Sequence, residues 1–196
     1  MKFNTQEVNQ LMRQRRSVYP KNYSGEVVGD SIIRQMLENA NWAPTHKLTE
    51  PWRFSVFTGE GIKRLAEFQG ACYKTVTTAD GSFKEDRYQG LLTKPFECSH
   101  IISVGMKRDP AKSVPEWEEI GAVFCAVQNI YLTATAYGIG CYLGTGGITN
   151  FAEAKSFFGL GEADKLLGFI HVGIPKEPFN DSKRKPIDEK VNWINA

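Results

Sequence analysis

Apolar residues recur at helical spacing at Val8, Leu11 and Met12, behind a capping-box-like pair of Asn4 and Glu7. That pattern predicts a helix over about residues 5–14. Asp30 is placed to cap a second helix with Ile32, Ile33, Met36, Leu37 and Ala40 on one face, and Pro44 enforces its end. Trp52 to Thr58 alternates and is rich in β-formers, so it reads as a strand. Ile62, Leu65, Ala66 and Cys72 predict a helix after it. Residues 74–95 are polar and weakly patterned, and a loop is expected there, with room for a short helix.

His100 to Met106 reads as a second strand. Pro115 suits the first turn of a long helix whose period, from Ile120 through Val123, Phe124, Val127, Ile130, Tyr131 and Ala134, carries to about Tyr137. Apolar and small residues cover most of its circumference, so it is expected to be central or to lie at a subunit interface. Cys141 to Thr145 is a short strand ending in glycines. Asn150 with Glu153 predicts a further helix closed by Gly159 or Gly161. The continuous apolar run from Leu166 to Ile174 reads as a buried strand. The tail from about Pro175 is charged and proline-punctuated, yet carries Val191, Trp193 and Ile194, which predicts an arm wrapped against something. Helices and about four strands mix without regular βαβ alternation, so the class is α+β.

The chain has 196 residues, which suits one domain over 1–196 with an arm from about 175. A hydrophobic content of 41% excludes a disordered chain, and a net charge of +2 argues against a dedicated nucleic-acid binder. No apolar signal segment is visible at the N-terminus, so a cytoplasmic protein is expected. Residues 120–152 lack Asp, Glu, Lys and Arg, but amides, threonines and glycines interrupt the run, so it reads as buried in protein and not in a membrane. Cys72, Cys98, Cys125 and Cys141 form no CxxC pair, and His46, His100 and His171 are scattered. Buried, reduced thiols are expected, with no metal site.

P-loop, dinucleotide, zincin and hydrolase motifs are absent. Four weaker constellations remain. Arg13-Gln14-Arg15-Arg16-Ser17 ends the first helix, where guanidiniums either bind phosphate or complement the macrodipole. Ala43 to Trp52 is a polar loop bracketed by prolines, either a stiff ligand cradle or a turn with ordinary surface charge. Gly144-Thr145-Gly146-Gly147 lets a backbone approach a flat or anionic ligand, or simply makes a tight turn. Lys183-Arg184-Lys185-Pro186 is a second phosphate contact or a solvated charge run. Together they describe a ligand anionic at one end and planar at the other. None supplies a nucleophile and its base, which suits a cofactor that carries the chemistry itself.

Those residues resemble the nitroreductase family of flavin mononucleotide (FMN) oxidoreductases, over nearly the whole chain. Arg15-Arg16-Ser17 matches the family's early phosphate and ribityl motif, and Ala43-Pro44 through Pro51-Trp52-Arg53-Phe54 its Ala-Pro-Ser…Gln-Pro-Trp segment. Gly138-Ile139-Gly140 with Leu143-Gly144-Thr145-Gly146 matches the glycine segment beside the isoalloxazine, and Arg184-Lys185-Pro186 the late basic motif. Ala43 to Lys47 and Val114 to Glu118 are similar to a short, compact subgroup.

The resemblance implies an antiparallel or mixed central sheet of four strands, a fifth strand lent by the partner's tail, and flanking helices. It also implies a homodimer with FMN at the interface. Hydride would pass from NAD(P)H through the flavin to a small electron-poor acceptor (nitroaromatic, quinone or enone) by a ping-pong route. The implied cofactor residues are Arg15, Arg16, Ser17, Pro44, Thr45, His46, Lys47, Glu50, Leu143, Gly144, Thr145, Gly146 and Arg184, with no catalytic side chain and no metal. Phe83, Tyr88, Phe96 and Trp117 are candidates for the acceptor pocket or for the core. Leu48 and Glu50 stand where many members have Asn and Gln, and Leu143-Gly144 where the compact subgroup has Trp-Arg. These departures leave a second expectation, an FMN-storing or redox-sensing protein with little turnover.

Overall fold

The computed structural model describes residues 2–178 and 182–195. The tail expected from about 175 therefore falls partly outside the described residues. Two α-helices open the chain, α1 (Thr5–Gln14) and α2 (Asp30–Ala40), followed by strand β1 (Trp52–Phe57). Then come α3 (Glu60–Ala79), α4 (Glu85–Thr93), β2 (His100–Met106), α5 (Glu116–Ala136), β3 (Gly140–Gly144) and β4 (Lys165–Gly173). The four strands form one sheet in the order β1-β2-β4-β3, every neighbouring pair antiparallel.

Side chains alternate between the two sheet faces, and each face carries a core. Ile102, Val104, Met106, Ile170 and Val172 pack under α2 and α5 with Met36, Val123 and Ile130. Ile101, Leu166 and Phe169 pack on the other side with Ile62, Leu65 and Tyr73 of α3. Every residue of β2 is buried, as a central strand between two layers requires.

Asn4 caps α1 as expected, its Oδ1 accepting from the amides of Gln6 and Glu7 at 3.0 and 3.4 Å. Asp30 is instead the first helical residue of α2, behind Gly29, and its carboxylate meets the buried His100 at 3.1 Å. The loop expected over 74–95 is mostly helix, the end of α3 and all of α4. Threonine-rich sequence weakens its helical signal, and tertiary packing supplies what periodicity does not. At Gly70 an added Cβ would lie 2.7 Å from Leu92 Cδ2, so a glycine is what lets α4 close against α3.

The helix expected from Asn150 is two short 3-10 segments, Gly147–Asn150 and Ala152–Phe158. Aromatic packing holds the second, Phe157 stacking on Phe68 at 3.8 Å, and Gly159 closes it at φ 69° as expected. Three cysteines are buried, but Cys125 is exposed, which corrects the expectation of four buried thiols. Among the described residues no helix is long and apolar enough to cross a membrane.

Two helices carry apolar surface that the chain itself leaves uncovered. No residue of α1 is buried, and Val8 and Met12 face outward. On α5, Trp117, Gly121, Phe124, Cys125 and Gln128 form an exposed stripe at helical spacing. Trp193 and Ile194 in the tail are 81% and 92% exposed.

Candidate functional site

Arg15 is where the chain leaves α1. It takes extended angles, φ −54° and ψ 127°, while its amide still donates to Leu11. The extended segment then runs parallel to β3, with Ser17 bridged to Cys141 and the Val18 amide donating to Cys141 O at 2.9 Å. The early arginine run and the glycine-ended strand thus become neighbours. Arg13, Arg15, Arg16 and Arg184, with Ser182, line one cleft of about 670 Å³ along α1. Residues from opposite ends of the chain converge there, and several guanidiniums with a hydroxyl nearby form a donor set suited to a phosphate dianion.

Tyr131 of α5 lies beneath this cluster. Its hydroxyl accepts the Leu143 amide at 2.6 Å, and the Arg15 guanidinium sits 5.4 Å from its ring centroid. Burial pushes its phenol up to about 12, against the opposing pull of hydrogen bonds from Ser17 and Leu143. The buried Cys141 thiol is pushed up to about 12 as well, so it is a neutral packing group and not a nucleophile.

After Leu143 and Gly144 the chain turns through Thr145, Gly146 and Gly147. Thr149 Oγ1 donates to the carbonyls of Thr145 and Gly146 at 2.8 and 3.2 Å, which fixes the turn. A Cβ at Gly146 would meet nothing within 4 Å, so the backbone there borders open space in which a flat ring could rest.

The proline-bracketed loop sits elsewhere. Lys47, Leu48 and Glu50 hold φ of 53°, 53° and 43°, left-handed angles that cost non-glycine residues roughly 1–3 kcal/mol each. Thr45 staples the loop, its Oγ1 accepting the Glu50 amide at 3.2 Å and lying 3.3 Å from Thr49 Oγ1. His46 Nδ1 pairs with Glu118 Oε2 at 2.7 Å, and Lys47 Nζ donates to Ser113 O at 2.9 Å. Pro44, His46, Lys47, Leu48 and Glu50 are all exposed.

These contacts tie the loop to the first turn of α5, whereas Tyr131 and Ser17 lie toward its last turns. At 1.5 Å per residue, Glu118 and Tyr131 are about 20 Å apart along the axis. The loop also precedes β1 and the glycine turn follows β3, at opposite edges of the sheet. One chain therefore brings Arg15, Arg16, Ser17, Leu143, Gly144, Thr145, Gly146 and Arg184 into one region. It leaves Pro44, Thr45, His46, Lys47 and Glu50 in another.

Sequence reasoning missed Tyr131 as part of the site, since its position in the helical period marks it as core. It also missed Ser113 and Glu118, the groups that hold Lys47 and His46, and Ser182 inside the charged tail. The pocket candidates Phe83 and Tyr88 pack against the second core, while Phe96 and Trp117 are exposed.

Known proteins share this architecture. The model of the nitroreductase family matches residues 12–174. YdjA of Escherichia coli (strain K12), provisionally named an NAD(P)H nitroreductase, is 31% identical over 154 residues, 79% of this chain and 81% of its own. A nitroreductase-like family protein from Bacillus cereus superimposes with a TM-score of 0.81 at 25% identity, over 100% of this chain and 99% of the other. A Desulfovibrio desulfuricans protein crystallised with FMN, provisionally named a nitroreductase, gives 0.70 at 27% identity, over 100% and 99%. With the matched segment running from the end of α1 through β4, this chain belongs to the nitroreductase family.

Proposed function

We propose that the chain is an FMN-dependent oxidoreductase whose cofactor lies between two copies. The observation that carries this reading is the cleft where Arg15, Arg16 and Arg184 converge with Ser182, a phosphate seat built from both ends of the chain. FMN is the group crystallised with the Desulfovibrio relative, and it fits this donor set. When bound, it supplies hydride exchange between NAD(P)H and a small electron-poor acceptor, each occupying the same exposed face in turn.

The chain's own residues do the holding. Guanidiniums of Arg15, Arg16 and Arg184 and the Ser17 hydroxyl neutralise and orient the phosphate. Leu143, Gly144, Thr145 and Gly146 border the planar ring, with Gly146 leaving clearance for it. Pro44, Thr45, His46, Lys47 and Glu50 belong to the second half of the site. Lys47 brings positive charge that favours an electron-rich ring, partly offset by the carboxylate of Glu50.

The separation of the two halves within one chain argues for their supply by two chains. If the exposed stripes of two α5 helices pair antiparallel about a two-fold axis, the start of one helix meets the end of the other. Loop 44–50 of one copy then faces the arginines and glycines of its partner. The uncovered apolar faces of α1, α5 and the tail support the same pairing.

The test is the visible spectrum of the purified protein, before and after FMN and then NADH or NADPH under argon. Flavin absorbance that co-purifies and bleaches, then returns on adding a quinone, is the expected result. Binding without bleaching would leave a storage or sensing protein, and no binding at all would refute the flavin reading.

A further inference from the structure

We propose that Asp109 is a positioning residue for Lys47, one that shapes the loop between β2 and α5 so that the Ser113 carbonyl holds the Lys47 ammonium in place without neutralising it. The proposal rests on the reading above that Lys47 lends positive charge to the flavin ring, and deepens it.

Lys47 Nζ donates to Ser113 O at 2.9 Å. A backbone carbonyl is a dipole and not a counter-ion, so it fixes the ammonium and leaves its charge whole. His46, next to it in the same loop, is held differently, with its Nδ1 2.7 Å from the Glu118 carboxylate. A lysine without a tether spreads over many rotamers, and fixing it costs side-chain entropy. A tether already in place lowers that cost and aims the charge in advance.

The tether is only as well placed as the carbonyl that makes it, and Ser113 is exposed on a loop. Asp109 closes that loop on itself. Its Oδ2 accepts the Ser113 amide at 2.9 Å and the Ser113 hydroxyl, and its Oδ1 accepts the Ala111 amide at 3.2 Å. Its backbone carbonyl accepts the Lys112 amide at 2.9 Å, with Lys112 at a left-handed φ of 49°. The hydrogen bonds from Ser113 hold the Asp109 carboxyl below the usual carboxylate range, so at neutral pH it is a charged acceptor for the loop's donors.

The loop is also fastened to the interior. The Asp109 amide donates to Oε1 of the buried Glu119 at 2.9 Å. Arg108 pairs with Glu119 and donates to Val114 O at 2.7 Å, one residue beyond Ser113. An unbroken run of hydrogen bonds therefore leads from a buried carboxylate on α5, through Asp109 and Ser113, to Lys47.

The experiment measures the midpoint potential of bound FMN against a reference dye for wild type, Asp109→Ala, Ser113→Ala, Lys47→Met and the double variant of Asp109→Ala with Lys47→Met. A shift in potential reports the affinity for reduced FMN relative to oxidised FMN. In Lys47→Met that ratio should fall about tenfold, the scale of one interaction with a charged group, which is about 30 mV for two electrons. Asp109→Ala keeps the Lys47 charge and frees its tether, and should lose roughly half of that shift. Deleting a carboxylate would by itself favour the electron-rich ring, so a loss is the sign of positioning. Ser113→Ala removes one bond to Asp109 without changing charge, and should move the potential in the same direction by less. The double variant should lose no more than Lys47→Met, because Asp109 acts through Lys47. A structural role alone would lower Tm and weaken both oxidation states together. An unmoved or raised potential in Asp109→Ala, or a larger loss in the double variant, would overturn the positioning role while a shift in Lys47→Met left the charge reading standing. No shift in Lys47→Met would overturn both, as would a wild type that takes up no FMN.

Discussion

Glu119 is the side chain on which the loop between β2 and α5 depends, and replacing it with glutamine tests that dependence. It is 1% exposed. Its Oε2 pairs with the Arg108 guanidinium, and its Oε1 accepts the Asp109 amide at 2.9 Å. Arg108 also donates to Val114 O at 2.7 Å, and its own amide donates to Asp164 Oδ1 at 2.8 Å. In Glu119→Gln the new side chain would retain one acceptor oxygen for two donors. Its NH2 would face either the guanidinium or the amide, and the largely buried Arg108 guanidinium would lose the carboxylate that pairs with it directly.

Breaking a buried pair on one side costs about 3–5 kcal/mol. At about 2–4 °C per kcal/mol for a chain of this size, Tm should fall by roughly 6–20 °C. The measurement is calorimetric unfolding of Glu119→Gln beside wild type at equal protein concentration, since assembly makes Tm depend on concentration. A second variant, Arg108→Met with Glu119→Leu, removes both charges and should recover most of the loss. A Tm within about 2 °C of wild type for Glu119→Gln would show that the pair is solvated and the reasoning wrong.

Two further outcomes follow from the packing. Gly168→Ala would set a Cβ 2.7 Å from Gly144 O and 2.9 Å from Leu143 Cδ1, so β3 must shift; FMN affinity should fall along with Tm, and unchanged affinity would separate the glycine turn from the site. His171 titrates below its ordinary 6.5 because burial disfavours its charged form, against the pull of hydrogen bonds to Tyr142 and Phe169. The unfolded chain therefore binds this proton more readily, so stability should fall as pH drops through 6.5 toward the folded value, a slope that His171→Gln should flatten in Tm measured against pH.

Much of the fold can be read from the sequence because its main elements are locally decisive. The alternation of Trp52 to Phe57, the apolar run of β4 and the period of α5 each have one reading. Asn4 announces the start of α1 in the same way. Helix α4 is not legible, since what holds it is the clearance at Gly70, a contact between distant side chains. The link between Asp30 and His100 is likewise a tertiary fact, invisible to spacing that reads Asp30 as a cap.

The site divides similarly. The arginines, Ser17 and the glycine turn stand out by residue type. Tyr131 does not, because a tyrosine at a core position of a helix looks like packing until its hydroxyl partners are known. Nor does the sequence say that loop 44–50 lies at the opposite end of α5 from Ser17. That separation is the observation on which the proposal of a site shared by two chains rests.

Mixed dimers test it most directly. Arg16→Glu should abolish FMN binding in its homodimer by reversing charge at the phosphate seat, and Lys47→Glu should do the same from the other half. In a mixed dimer of the two variants, one shared site carries both defects and the other carries neither. One FMN per mixed dimer, absent from both variant homodimers, is the expected stoichiometry. No FMN in the mixed dimer, with the wild-type homodimer binding two, would place the whole site within one chain and contradict the account.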